Sequence, residues 1–160
     1  MLLELYRSYV GDYPKFFKMD LLSRLGFVAS ELLLQEERRL YPDRPHDDNR
    51  AVILITRHAS IHNDRAYEQT ISPENYFPSP ALFVYTLPNV VTGEIAIRNH
   101  YYGETSCFVL PNEATAENFL NEYIPSIASS SICGWIDVDE NGIFTASLSI
   151  HENASNRNIQ

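Results

Sequence analysis

Glycine is sparse in this chain of 160 residues: Gly11, Gly26, Gly93, Gly103, Gly134 and Gly142 are all there are, and they never cluster. A phosphate-cradling loop needs neighbouring glycines so that backbone N–H groups can close on the anion, so nucleotide binding has no support. Cysteine is scarcer still, with only Cys107 and Cys133 and no Cys-x-x-Cys spacing. A chain of this length builds a core without staples, and reduced thiols in a cytoplasmic protein are the expectation. No stretch reaches the 18 or so apolar residues of a membrane span. The opening Met-Leu-Leu-Glu-Leu-Tyr-Arg puts Glu4 and Arg7 where a signal peptide needs its apolar run, which predicts no export signal. Positive charge is also short, with 12 Lys and Arg against 21 Asp and Glu. The resulting net charge of -9 and pI near 4.9 argue against nucleic acid and anionic membrane surfaces, both of which are held by clustered cations. No Gly-x-Ser-x-Gly elbow surrounds Ser79, Ser106 or the Ser129 to Ser131 run, which read as caps and turns, so hydrolase chemistry has no support.

What is present is enough apolar surface for one domain, with 44% hydrophobic and 12% aromatic residues. Leu21, Leu22, Leu25, Val28, Ala29, Leu32 and Leu33 recur at spacings of three and four. They predict one buried helical face running to about Arg39, with Asp20 as its cap. After a polar loop carrying Pro42 and Pro45, the β-branched run Ala51 to Thr56 predicts a central strand covered on both faces. Residues 57 to 80 are polar and turn-rich and predict a short helix near Asn63 to Gln69 within a functional or interface loop. Ser79 followed by Pro80 predicts a capped helix start that Pro88 ends. A second helical segment from Asn89 through Arg98 carries Val91 and Ile95, and Gly103 is the expected left-handed stop. Ser106 to Leu110 predicts a strand closed by Pro111, and Ala114 to Ile124 a helix with an apolar stripe at Phe119, Leu120, Tyr123 and Ile124. Ile132 to Val138 and Ile143 to Ile150 then form two strands around the turn Asp139-Glu-Asn-Gly142. The reading is an α/β domain over residues 1–152 with a polar tail at 153–160.

The charge is unevenly placed. Residues 1–65 hold ten basic and ten acidic groups, and residues 66–160 hold two and eleven, so the whole excess of -9 lies in the second stretch. His58 and His62 stand four apart with Asp64 close by, yet no Glu sits between them as in a zinc-protease helix, and a polar loop is the expectation rather than a metal site. Cys107 and Cys133 fall inside apolar strands, where thiols are usually inert. The acidic Asp137-Val-Asp139-Glu140 reads as a solvated turn. No cofactor is implied.

Three stretches carry a family likeness: Phe16-Phe-Lys-Met-Asp20, Tyr85-Thr-Leu-Pro-Asn-Val-Val-Thr-Gly-Glu-Ile-Ala-Ile97, and Gly103-Glu-Thr. They resemble the N-terminal half of a β-ketoacyl-[acyl carrier protein] synthase of the thiolase superfamily, with Asn89, Gly93 and Gly103 as the motif positions. The resemblance implies a thiolase-like half-fold, with a mixed, mostly parallel sheet, helices on both faces and a C-terminal β-hairpin. It implies a nucleophilic cysteine where the second strand passes into a buried helix, whose dipole would lower the thiol pKa. The corresponding stretch here is Val109-Leu-Pro-Asn-Glu-Ala-Thr115, in which Pro111, Asn112 and Glu113 offer no thiol and Cys107 falls too early. The two catalytic histidines of such synthases come from the C-terminal half, beyond these 160 residues.

The resemblance thus implies a truncated, non-catalytic ketosynthase-like partner or regulator in fatty-acid or polyketide-type, aryl polyene-like, synthesis, similar in role to a chain-length factor. It also implies a homodimer, or a heterodimer with a full-length ketosynthase, through apolar helices at Ala81 to Ile97 and Ala114 to Ile124. Acyl carrier protein, if it docks, is expected on the Arg38 to Arg65 region. Two alternatives stay open. One is acyl or phosphopantetheine binding without turnover, in a pocket near Phe83, Tyr85, Phe108 and Leu110. The other is an independent small enzyme using Cys107 or His58 and His62.

Overall fold

The computed structural model describes residues 1–74 and 77–152, so the expected tail at 153–160 lies outside the described residues. Four strands make one sheet: β1 (Ala51–Thr56), β2 (Thr105–Val109), β3 (Ser130–Val138) and β4 (Phe144–Glu152). Their order is β2-β1-β3-β4, with β1 parallel to both neighbours and β3 antiparallel to β4. All six residues of β1 are buried, as a strand between two layers must be. The hairpin turn forms as its sequence dictates. The Asp139 carboxylate accepts from Asn141 N and Ile143 N at 2.8 and 2.9 Å, and Gly142 takes the positive φ of 79°.

One face of the sheet is covered by α2 (Leu21–Leu40) and α5 (Val90–Asn99). Leu22, Leu25, Val91 and Ile95 pack there on Val52, Leu54, Ile132 and Ile136, with Phe144, Leu148 and Ile150 of β4 at the margin. The two helices approach closely at Gly26, where an added Cβ would come within 2.5 Å of Val91 Cγ2. Asp20 caps α2 through bonds from Leu22 N and Ser23 N at 3.2 and 3.1 Å. The other face carries α6 (Glu113–Ile127), whose Ala116, Leu120 and Ile124 meet Ile53, Ile55, Cys133 and Trp135. The α/β layering and terminal hairpin expected from the sequence are present.

Four points add to or correct the sequence reading. Residues 2–18, to which it assigns no element, form α1 (Leu2–Tyr9) and a 3-10 turn over Pro14–Lys18. They fold because Tyr6, Phe16, Phe27 and Tyr85 build a separate aromatic cluster, with Tyr6 stacked on Phe16 at 3.9 Å. The left-handed stop of α5 is His100, at φ 55°, and not Gly103. Gly103 is needed for closeness: a Cβ there would stand 2.6 Å from the Arg50 carbonyl, so the approach to β2 lies against the approach to β1.

The third correction concerns Arg38 to Arg65, which do not form one face. Arg50 and Arg57 flank the six residues of β1 and stand seven positions, about 23 Å, apart. Arg50 is buried against Glu37, and Arg44, Arg39 and Arg65 are paired with Glu37, Glu36 and Glu140. The fourth concerns α6, whose outward face is not apolar. Its exposed residues are Glu113, Glu117, Asn118, Asn121, Glu122 and Ser126, alongside Ala114, Thr115 and Pro125.

The remaining helices are α3 (Ile61–Glu68) and α4 (Pro80–Val84), between β1 and α5. α3 begins two residues before the expected short helix, and α4 starts as read, with Ser79 Oγ accepting from Leu82 N at 3.4 Å. No helix is long and apolar enough to cross a membrane among the described residues.

Candidate functional site at the carboxyl edge of the sheet

The carboxyl ends of β2, β1 and β3 lie side by side along one edge of the sheet. In parallel sheets this is where ligands bind, at the point where successive connections leave in opposite directions. Here the chain passes from β1 outward to β2 and then back across to β3, so β1 and β3 flank that point. Leu110 N donates to Thr56 O at 3.0 Å, so the segments leaving β2 and β1 start in contact.

Asn112 ends the β2 segment as the cap of α6. Its side-chain oxygen accepts from Thr115 N at 2.9 Å and Thr115 Oγ1 at 3.0 Å. The carboxamide is thus committed to satisfying a helix terminus, as Asn does best. Pro111, Asn112 and Glu113 are all exposed. The position where the family resemblance puts a nucleophile is occupied by a capping group with no nucleophilic atom.

One strand away, Asp137 of β3 organises the end of β1. Its Oδ1 accepts from Thr56 Oγ1, Arg57 N and His58 N at 2.8, 3.0 and 2.9 Å, and its Oδ2 lies 2.7 Å from His58 Nδ1. Burial raises the carboxyl pKa, but the donors of His58, Thr56 and Arg57 outweigh it and hold the group below the usual range. An ionised Asp137 accepts only, so His58 Nδ1 must carry the proton. The loop bends back at Ala59, a non-glycine residue at φ 51°, whose N–H donates to Thr56 Oγ1 at 3.1 Å. Asp137 is therefore no solvated turn residue. The sequence signal that could have found it is its odd-numbered position in β3, which puts it on the face shared by Cys133 and Trp135.

The other candidates are dispersed. His62 faces the hairpin, its Nε2 3.4 Å from where a Cβ on Gly142 would stand, while His58 is bound to Asp137. Ser60 Oγ lies 3.0 Å from Asp64 and 2.8 Å from Thr86 O. Among the described residues no three His, Cys, Asp or Glu side chains group to hold a metal. Burial pushes the Cys107 thiol up to about 12 and also raises Cys133, which suits packing and not nucleophilic attack. Asn89 precedes α5 without a side-chain cap bond, its carbonyl accepting from Thr92 Oγ1 at 2.8 Å, and Gly93 has open space where a Cβ would be. Phe83 tilts against Tyr67, and Tyr85 belongs to the aromatic cluster of α1 and α2. Phe108 and Leu110 instead pack under α6 with Phe119 and Leu120. Phe83, Tyr85 and the pair Phe108 and Leu110 thus sit in three separate places and do not line one pocket.

No family model and no curated protein matches the chain. Among solved structures it superposes on that of the ishigamide ketosynthase/chain length factor, with a TM-score of 0.68 and 21% identity. The match covers 93% of this chain and 48% of that one. The fold is thiolase-like. The chain spans about half the length of the ketosynthase/chain length factor it matches, and it has no cysteine at the start of the helix that follows the second strand.

Proposed function

We propose that this chain is a non-catalytic ketosynthase-like partner or regulatory subunit in fatty-acid or polyketide-type synthesis, similar in role to a chain-length factor. The observation that carries the reading is Asn112, which caps α6 where a condensing enzyme would present its thiol. A carboxamide forms no thioester, and the two thiols of the chain, Cys133 buried and Cys107 half-buried, lie in strands with raised pKa values. The thiolase-like fold and its likeness to a ketosynthase/chain length factor support the pathway class. Residues 1–152 act as one unit in the cytoplasm, in keeping with reduced cysteines.

The partner is a second copy or a full-length ketosynthase. Its contact surface is the exposed apolar stretch of α4 and α5, where Phe83, Leu87 and Ile97 are 55, 56 and 62% exposed. The outward face of α6 is polar and is not part of that surface. Native mass spectrometry of the protein, alone and mixed with purified ketosynthase and acyl carrier protein, tests the reading. A homodimer or a mixed complex is the expected result. A monomer at micromolar concentration in every mixture overturns it.

A further inference from the structure

β4 is an edge strand of nine residues, paired to β3 on one side, and among the described residues no strand pairs with its other side. α6 lies over β1 and β3 on its face of the sheet and stops short of β4, so Thr145, Ser147 and Ser149 stand exposed in a row of alternate residues. Between them runs a groove with a cavity of about 240 Å³, lined by Glu113, Glu117, Leu120, Trp135, Ser147 and Ser149. Its floor is apolar and its rims are hydroxyls on one side and carboxylates on the other.

The carboxylates lack a counter-charge. Glu113 and Glu117 are four apart on α6, both exposed, and neither forms an ion pair among the described residues. Like charges at that spacing repel one another across a helical turn. Glu113 gains from the positive end of the helix dipole, but Glu117 is already a full turn further on, where that field has faded. Of the two basic residues in the second stretch, Arg98 is held by Asp12 and Glu31, and Arg157 lies outside the described residues.

We propose that this groove receives a lysine or arginine side chain from an extended partner segment that adds as a strand to the open edge of β4. Strand addition gives the segment main-chain bonds, and every second side chain then projects over the Ser147 and Ser149 row. A long aliphatic stem lies along Trp135 and Leu120 while its cationic head reaches the two glutamates. The groove is separate from the apolar surface of α4 and α5, and an acidic partner such as an acyl carrier protein is repelled from it.

Trp135 is the single tryptophan, so its fluorescence reports this groove alone. The test titrates the whole protein with a nine-residue peptide of alternating threonine and lysine, and with its threonine and glutamate counterpart, following Trp135 emission and the backbone amide shifts of β4. The lysine peptide should bind saturably and shift β4 amides, and the glutamate peptide should not. Glu113→Gln with Glu117→Gln should weaken binding about fivefold per charge removed, the effect of about 1 kcal/mol each. Glu68→Gln with Glu122→Gln removes the same net charge elsewhere and should leave the affinity unchanged. Equal weakening by both pairs, shifts that map away from β4, or absence of binding overturns the proposal. None of these outcomes touches the partner complex tested above, which depends on the opposite face.

Discussion

Asp137 is the residue on which the carboxyl edge depends. Four donors from Thr56, Arg57 and His58 meet one largely buried carboxylate, and bonds to a charged acceptor are worth more than neutral ones. Asp137→Ala should cost about 3 kcal/mol in urea unfolding. The pH dependence follows from the lowered folded pKa. The contribution is fully present above the unfolded value of 3.8 and is lost as pH falls through the folded value, so wild-type stability should decline below about pH 4. Asp137→Asn should flatten that decline, and an equally steep acid limb in the variant would assign it to other carboxylates. Asp20 has the opposite sign. Burial raises its pKa despite the capping bonds from Ser23 and Leu22, so near neutral pH the charge is held at a cost. Asparagine caps as well as aspartate and carries no charge. Asp20→Asn is therefore expected to be neutral or stabilising at pH 7, and a loss above about 1 kcal/mol in the same unfolding measurement would contradict this.

At the scale of elements, legibility in the sequence tracked how local the determining physics is. α2, β1 and the Asp139 to Gly142 turn were readable because periodicity, β-branching and turn chemistry act within a few residues. α1 and the 3-10 turn were missed because their reason to fold is the remote contact with Phe27 and Tyr85. The helix stop was misplaced by three residues: Gly103 was expected there, but its small size serves a loop crossing that only the tertiary structure reveals. In the candidate site, the lack of a thiol at Asn112 was legible, whereas Asp137 was not, because its donors lie 79 to 81 residues away. The commitment of Asn112 to its helix makes a further prediction. Asn112→Cys should lose the cap, at about 1 kcal/mol. In exchange it places an exposed thiol at the N-terminus of α6, where the dipole favours the thiolate. That thiol should react with a disulfide reagent at pH 7 in the folded protein, whereas Cys107 and Cys133 should react only on unfolding. Reaction of the wild-type thiols at the rate of the variant's would restore Cys107 as a candidate nucleophile.

For the whole molecule, the two sides of the sheet have different surfaces, and the difference favours one of them for the association proposed above. The side of α4 and α5 shows aromatic and aliphatic groups, whereas the side of α6 shows carboxylates and amides. Covering the apolar side removes it from water at about 25 cal/mol per Å², and no comparable gain exists on the acidic side. Phe83 and Leu87 are each about half exposed, so burying the remainder is worth about 1 kcal/mol apiece, or about 4 kcal/mol across a symmetrical pair. Phe83→Ser with Leu87→Ser should therefore raise the dimer Kd about a thousandfold in sedimentation velocity. The urea midpoint should stay nearly constant, because both side chains already spend half their surface in water. Association that persists in this variant but fails when Glu113 and Glu117 are neutralised would move the interface to α6. A dimer insensitive to both changes would leave the outer edge of β2, where Val109 is exposed and, among the described residues, no strand pairs, as the surface that joins the copies.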